Sequence, residues 1–240
     1  MKLIFAGTRG YIQARTPRHD RHSALEVSYY GKRVRIDCGE DWLDQARSIA
    51  ASAIVLTHAH PDHTGGLKNG TSCPVYATSE TWDAIDGYPI ETRHTLRPRD
   101  PFVIEALQFE AFDVEHSTRA PAVGYRITAG RVSVFYVPDL VYIVKRQQAL
   151  QGARIYIGDG ATMKRSFVRK PGEKLIGHTP VRTQLTWCRK EGVPRAIITH
   201  CGSEIVEGDE RTLGAELRKM AAERNIKAEF AYDGLEVVLR

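Results

Sequence analysis

Short apolar runs of strand length recur along the chain, and several of them end on a histidine or an aspartate. Residues 2–6 read as a first strand, followed by a polar stretch rich in Arg, His and Pro from Thr8 to His22. Ala24 to Tyr29 and Lys32 to Asp37 alternate as a hairpin about Tyr30-Gly31. Asp41 is placed to cap a helix carrying Leu43, Ala46 and Ile49 on one face. Ala53-Ile54-Val55-Leu56 is a buried strand, and Pro74 to Ala77 another, after which Thr78 or Ser79 opens a helix through Ile85. Residues 88–101 read as loop, and strands follow at about 102–112, 122–128 and 131–137.

The second half alternates more regularly. A helix over about 140–151 stops at Gly152, and Ala153 to Ile157 is a strand. Residues 160–177 are a polar, basic loop. Thr179 is positioned to cap a helix with Pro180 in its first turn, where proline loses no hydrogen bond; Val181, Leu185 and Cys188 face inward and Gly192 ends it. Ala196-Ile197-Ile198 is a buried strand, and Leu213, Leu217, Met220 and Ala221 mark an amphipathic helix. Strands at 226–231 and 235–239 read as a hairpin about Asp233-Gly234, a strong type I′ signal. Paired strands early and helix–strand alternation later predict an α/β fold of four layers, αββα, with two packed mixed β-sheets flanked by helices.

Composition narrows this picture. A chain of 240 residues with 42% apolar residues can build a proper core, and residues 1–240 are read as one domain. No apolar stretch reaches 18 residues, which speaks against a membrane span. The four cysteines lack paired spacing and the apolar start is too short for a signal peptide, so the expected location is cytoplasmic. A formal charge of +5 and a pI near 9.0 favour anionic substrates only slightly.

The chemistry centres on Thr57-His58-Ala59-His60-Pro61-Asp62-His63-Thr64-Gly65-Gly66, which follows the strand ending at Leu56. His58 and His60, two apart, put both rings on one side of an extended segment. Asp62 and His63 lie past the turn at Pro61 and approach from another direction. Imidazole nitrogens mixed with carboxylate oxygens suit zinc, and such sets usually mark catalytic sites. His116, Asp139, Asp159 and His200 each follow an apolar strand, and His178 precedes a helix. Together they supply two metals: His58, His60 and His116 for one, Asp62, His63 and His200 for the other, with Asp139 bridging. Ions so bridged lie roughly 3.5–4 Å apart.

His58-x-His60-x-Asp62-His63 resembles the central motif of the metallo-beta-lactamase fold superfamily. Phe5-Ala6-Gly7-Thr8 and Arg33 to Glu40, with its Asp37-Cys38-Gly39 element, resemble the branch of ribonuclease Z and the small cyclic phosphodiesterases. That resemblance implies His116, Asp139 and Thr199-His200 as the later ligand motifs. Gly177-His178-Thr179-Pro180 resembles a segment whose histidine lies near the scissile phosphate, and Gly158-Asp159-Gly160-Ala161-Thr162 stands where ribonuclease Z has Glu-x-Thr. No insertion matches the long arm with which ribonuclease Z grips transfer RNA.

The expected activity is a binuclear metal-dependent hydrolase, a phosphodiesterase acting on a small or cyclic phosphodiester or a nucleic-acid end through a metal-bridging hydroxide. Two divalent ions per chain are expected, zinc first and manganese as the alternative. Asp62 and His178 are the expected catalytic residues, His178 as an acid. Asp159 is read as the partner of His178 or His200, Asp37 as a carboxylate holding loop amides, and Cys201 as a buried thiol. Arg9, Arg15, Arg18, Arg21 and the 164–174 basic loop either ring the mouth or form a solvated face. The rival chemistry is hydrolysis of a lactone, carboxylic ester or sulfate ester; the rival class is an inactive nucleic-acid binding module. The resemblance also implies a homodimer as a common assembly.

Overall fold

The computed structural model describes residues 1–170 and 172–240. Seven strands form the first sheet, in the order Glu236–Val238, Lys2–Gly7, Ala24–Tyr29, Lys32–Ile36, Ala53–Val55, Val75–Thr78 and Arg93–Leu96. The first four are antiparallel neighbours and the remainder run parallel. The second sheet orders Tyr142–Ile143, Leu107–Glu115, Ala122–Ala129, Val132–Tyr136, Ile155–Asp159, Arg195–Thr199 and Lys227–Phe230 in the same way, antiparallel and then parallel. Phe102–Ile104 pairs with Leu107–Glu115 as an added edge.

Burial follows the layers. Leu3 and Phe5 alternate with half-buried neighbours in the first strand and meet Leu25, Val27, Phe109, Tyr125 and Val134 between the sheets. The parallel strand Ile155–Asp159 is buried at every position, as expected where helices cover one face and a sheet the other. Helices Val181–Lys190 and Glu210–Ala222 cover the outer face of the second sheet through Leu185, Cys188, Leu217 and Met220. Trp42, Leu67 and Trp82 cover the first sheet from the other side. The four αββα layers and two mixed sheets expected from the sequence are present. The sheets also touch through hydrogen bonds at the histidine-rich motif: Tyr125 Oη donates to Leu56 O at 2.6 Å, and Val123 N to Thr57 O at 3.0 Å.

Several local expectations fail for identifiable reasons. The two C-terminal strands do not pair with each other. Lys227–Phe230 runs parallel beside Arg195–Thr199, whereas Glu236–Val238 pairs antiparallel with the first strand. Asp233-Gly234 therefore carries the chain from one sheet to the other. Its carboxylate accepts from Asp20 N and Arg21 N instead of closing a hairpin. The helix expected after Asp41 is reduced to 3-10 turns at Glu40–Trp42 and Ala46–Ser48, because Asp41 accepts from Arg9, Arg15 and His22 N and caps nothing. Residues 140–151 hold a two-residue strand and only Arg146–Leu150 as helix. The loop over 88–101 contains the edge strand Arg93–Leu96, and the strand over 102–112 is broken at Glu105, whose φ is 55°. Thr179 caps nothing; Pro180 is the N-cap of Val181–Lys190, and Thr179 N donates to Leu140 O.

Candidate metal centre

The ten sequence-selected residues come from seven segments, most of them at strand ends. His58 and His60 leave the strand Ala53–Val55, and Pro61–Thr64 forms one helical turn with Pro61 at its start, which turns Asp62 and His63 back toward them. This turn is clamped from behind: Cys38 N donates to His63 O at 2.7 Å and Gly66 N to Cys38 O at 2.9 Å. Gly39 is required by the close approach, since a Cβ there would overlap the Asp62 carbonyl oxygen. His116 follows Leu107–Glu115, Asp139 follows Val132–Tyr136, and Asp159 closes Ile155–Asp159. His200 follows Arg195–Thr199 with φ 51°, a left-handed backbone uncommon outside glycine.

The donors form two adjoining groups, each able to hold a metal ion: His58, His60, His116 with Asp139, and Asp62, His63, His200 with the same Asp139. In the first, His58 Nε2 lies 3.0 Å from His60 Nδ1 and 3.3 Å from Asp139 Oδ2, and His116 Nε2 lies 3.3 Å from His60 Nδ1. In the second, His63 Nε2 is 2.9 Å from Asp139 Oδ2 and 3.2 Å from Asp62 Oδ2, while His200 Nε2 is 3.1 Å from Asp62 Oδ2. A further overlapping group, Asp139, Asp159, His178 and His200, also satisfies the spacing for an ion.

Asp37 and Asp159 stand behind the donors. Asp37 accepts from Thr57 N at 2.8 Å and from Thr57 Oγ1, and it meets His63 Nδ1 at 2.8 Å, which turns His63 Nε2 inward. Asp159 Oδ2 lies 2.8 Å from His178 Nδ1, and Asp159 Oδ1 accepts from Ala161 N. His116 Nδ1 meets Gly177 O at 3.1 Å, leaving Nε2 for the centre. Cys201 is a buried thiol, with its pKa pushed far up by burial.

Protonation follows from burial and charge. Burial first, and then neighbouring imidazoles, hold His58 well below the usual imidazole value, His60 at about 4, and His116 below the ordinary range. These three are neutral donors at physiological pH. Burial also pulls His63 and His200 down, but the surrounding carboxylates outweigh it and hold both well above the ordinary value. Burial pushes Asp62 and Asp139 up, and the adjacent imidazoles reverse that and keep both ionised. A cation placed among them replaces the protons that His63 and His200 otherwise take. The donor atoms also fit a metal on a second count. His63 Nε2, Asp139 Oδ1 and His200 Nδ1 are buried and crowd together without a well-directed hydrogen bond, His63 Nε2 lying 2.9 Å from Asp139 Oδ2 and His200 Nδ1 3.0 Å from Asp139 Oδ1, a convergence of polar atoms that coordination resolves.

A sequence family described as the beta-lactamase superfamily domain matches residues 32–201. The chain belongs to that superfamily. The fold and the candidate donor groups together make it a metal-dependent hydrolase. Over 209 residues it is 33% identical to an octanoyltransferase of Porphyromonas gingivalis, covering 76% of this chain and 40% of that protein. It is 29% identical over 176 residues to a ribonuclease Z of Methanopyrus kandleri, covering 64% of this chain and 61% of the relative. The chain thus spans about half the length of these curated relatives. A diphosphatase of the PhnP family is similar in structure, with a TM-score of 0.72 and 19% identity over 100% of this chain and 98% of the other.

Beside the donors of this beta-lactamase-superfamily chain lies a cavity of about 600 Å³, bordered by His60, Asp62, His116, Asp139, His178 and His200 on its inner side. Its outer walls were not selected from the sequence, because Tyr11, Ile12, Ala161 and Phe167 sit in segments without periodicity. Gln184 was also missed. Buried on the helix Val181–Lys190, it receives Asp159 N on Oε1 at 3.0 Å and donates to Asp159 O at 2.7 Å, anchoring the end of that strand. A polar residue on an otherwise apolar helix face is the signal that marks it.

Of the two readings of the basic residues, a ring around the mouth or a solvated face, the ring is not formed by the N-terminal segment. Arg9 is buried against Asp41 at 2.5 Å, and Arg15 meets the same carboxylate at 2.7 Å. Arg18 pairs with Glu210 at 2.9 Å, and Arg21 bonds Gln45 and stacks on Trp42. In the later basic loop Lys164 pairs with Glu216, while Arg169 borders a separate depression beside Phe167 and His178. Among the described residues no helix is long and apolar enough to cross a membrane.

Proposed function

We propose that the protein is a binuclear metal-dependent hydrolase of small phosphodiesters. The observation that carries this reading is the sharing of Asp139 by two donor groups, with His58 Nε2 3.3 Å and His63 Nε2 2.9 Å from the same oxygen, Oδ2. In this reading His58, His60 and His116 hold one ion, and Asp62, His63 and His200 the other. The histidine-rich set suits zinc, with manganese the alternative. Two divalent cations, when bound, lower the pKa of the attacking water and neutralise the charge that develops on the phosphoryl oxygens.

The chain's own residues divide the remaining work. Asp62, ionised and against both His63 and His200, orients the attacking water as well as ligating. His178 holds a proton at the leaving-group oxygen: Asp159 engages Nδ1 at 2.8 Å, so Nε2 is the atom free to donate. The pull of burial on His178 is outweighed by Asp159, which holds its pKa above the ordinary value and keeps that proton available near neutrality. Asp37 fixes the tautomer of His63. The names of the ribonuclease Z and PhnP-family relatives support phosphoryl chemistry. Of the octanoyltransferase this chain covers only 40%, against 61% of the ribonuclease Z, and acyl transfer is not carried over.

A second reading, hydrolysis of a neutral lactone or carboxylic ester, draws on one observation: among the described residues bordering the cavity none is Lys or Arg. The deciding experiment compares catalytic efficiency on bis(p-nitrophenyl) phosphate, a cyclic nucleotide, a simple lactone and precursor transfer RNA, with zinc- and manganese-loaded protein. A phosphodiester is expected to be fastest. A faster lactone transfers the protein to ester hydrolysis, and selectivity for precursor transfer RNA overturns the small-substrate reading.

A further inference from the structure

The wall of the cavity opposite the donors is apolar, and two of its aromatic side chains face solvent to an unusual extent. Tyr11 is 63% exposed and Phe167 44% exposed, and both border the cavity together with Ile12, Pro61 and Ala161. Exposed aromatic surface gathered at a concave site is more costly than scattered surface residues and marks where a partner covers it. A volume of about 600 Å³ limits that partner to a small molecule beside the donors.

Both walls are built rigidly onto the donor segments. Gly10 N donates to Cys201 O at 3.0 Å, next to His200, and a Cβ at Gly10 would already stand 3.1 Å from the His200 ring. The buried Arg9 side chain donates to Ile12 O and is held in turn by Asp41, which fixes the loop bearing Tyr11 and Ile12. On the other side Phe167 N donates to His178 O at 3.1 Å, and Gly177 N donates to His116 O at 2.9 Å. Gly177 has φ +105°, and a Cβ there would collide with the Phe167 carbonyl, so the two segments lie in direct contact. The backbone that carries both aromatic groups is therefore tied directly to the donor segments.

Charge points the same way. Glu204 is the one acidic residue of the outer wall, and no Lys or Arg borders the cavity among the described residues. The Arg165 guanidinium lies 5.8 Å from the Phe167 ring centroid and stacks on the ring without bordering the cavity. A substrate bearing a second anionic group meets no cation there.

We propose that this cavity selects esters carrying one uncharged aromatic group, seated against Tyr11, Ile12 and Phe167 while the reacting group lies at the donors. The proposal rests on the metal-centre reading above but not on whether phosphorus or carbon is attacked. The test is calorimetric binding of two ligand pairs to the zinc-loaded protein: phenylphosphonate with methylphosphonate, and benzohydroxamate with acetohydroxamate. The phenyl member of each pair is expected to bind at least about tenfold more tightly, the scale of burying one aromatic ring. Phe167→Ala and Ile12→Ala are expected to reduce that ratio at least about threefold while leaving the methyl ligand's affinity unchanged. Absence of phenyl preference in both pairs overturns the proposal, as does a preference that neither substitution reduces or the absence of binding by all four ligands. Phenyl preference among hydroxamates with no phosphonate binding keeps the proposal and removes the phosphodiesterase reading instead.

Discussion

Asp37 Oδ2 lies 2.8 Å from His63 Nδ1, with both side chains fully buried behind the donor cluster. The contact fixes which nitrogen of His63 faces Asp62 and Asp139. Asp37 itself has φ 65°, so a left-handed backbone is maintained to deliver this carboxylate. An amide in its place cannot enforce the same tautomer. Asp37→Asn is therefore expected to weaken the ion at Asp62, His63 and His200 by about 10–100-fold, with a smaller effect on the other ion. Competition against a chelator of known affinity reads this directly, and unchanged affinity for both ions excludes the role.

Asp139 sits within 3.3 Å of His58 Nε2 and 2.9 Å of His63 Nε2, so one carboxylate serves both donor groups. Loss of one ion should leave the Asp139 carboxylate poorly placed for the other. His60→Ala is expected to remove the first ion and weaken the second, giving less than one equivalent of metal after dialysis, against two for the unsubstituted protein. Elemental analysis under metal-replete conditions measures both. One ion or none in the unsubstituted protein rejects the two-ion arrangement.

His178 is a quarter exposed at the cavity and bonded to Asp159, with Asp139 Oδ1 farther away at 3.5 Å. If it serves proton transfer, His178→Ala keeps both ions while turnover falls about 100-fold, the scale of general acid–base catalysis. The overlapping donor group of Asp139, Asp159, His178 and His200 gives the competing outcome. Loss of a full equivalent of metal in the variant makes His178 a ligand.

The convergence of these groups is legible in the sequence because strand exits collect at one edge of packed sheets. A histidine or aspartate after each apolar run, as at His58, His116, Asp139, Asp159 and His200, is therefore carried toward a common place. The central strands are legible for a related reason: Ile155 to Asp159 and Ala196 to Thr199 are buried on both faces and read as continuous apolar runs. What local pattern does not encode is partner choice. Asp233-Gly234 has hairpin chemistry, yet its flanking strands find better partners in different sheets. Asp41 has the chemistry of a helix cap, but the buried Arg9 claims its carboxylate from 32 residues away. Tyr11 and Phe167 lie in aperiodic segments, and only tertiary hydrogen bonds bring them beside His200 and His178.

The N-terminal segment makes a prediction of its own at acid pH. His19 Nδ1 lies 2.8 Å from Thr8 Oγ1, and Thr8 Oγ1 donates to Asp233 Oδ1 at 2.6 Å. The single hydroxyl proton of Thr8 goes to Asp233, so His19 must donate through Nδ1–H. Burial, and then the adjacent Arg18, lower the pKa of His19 to about 4 from an ordinary 6.5. The unfolded chain takes up a proton as pH falls through 6.5, whereas the folded protein resists until about 4. The contribution of this group is complete above 6.5 and is progressively lost as pH falls from 6.5 toward 4. His19→Gln removes the titration while keeping an amide donor near Thr8. Its Tm is expected to fall less steeply than that of the unsubstituted protein between pH 7 and pH 5, even if it starts lower. Both proteins are melted with the same excess of chelator, so that loss of metal ions does not enter the comparison. Parallel Tm curves over that interval would show that His19 takes its proton equally well in the folded and unfolded chains.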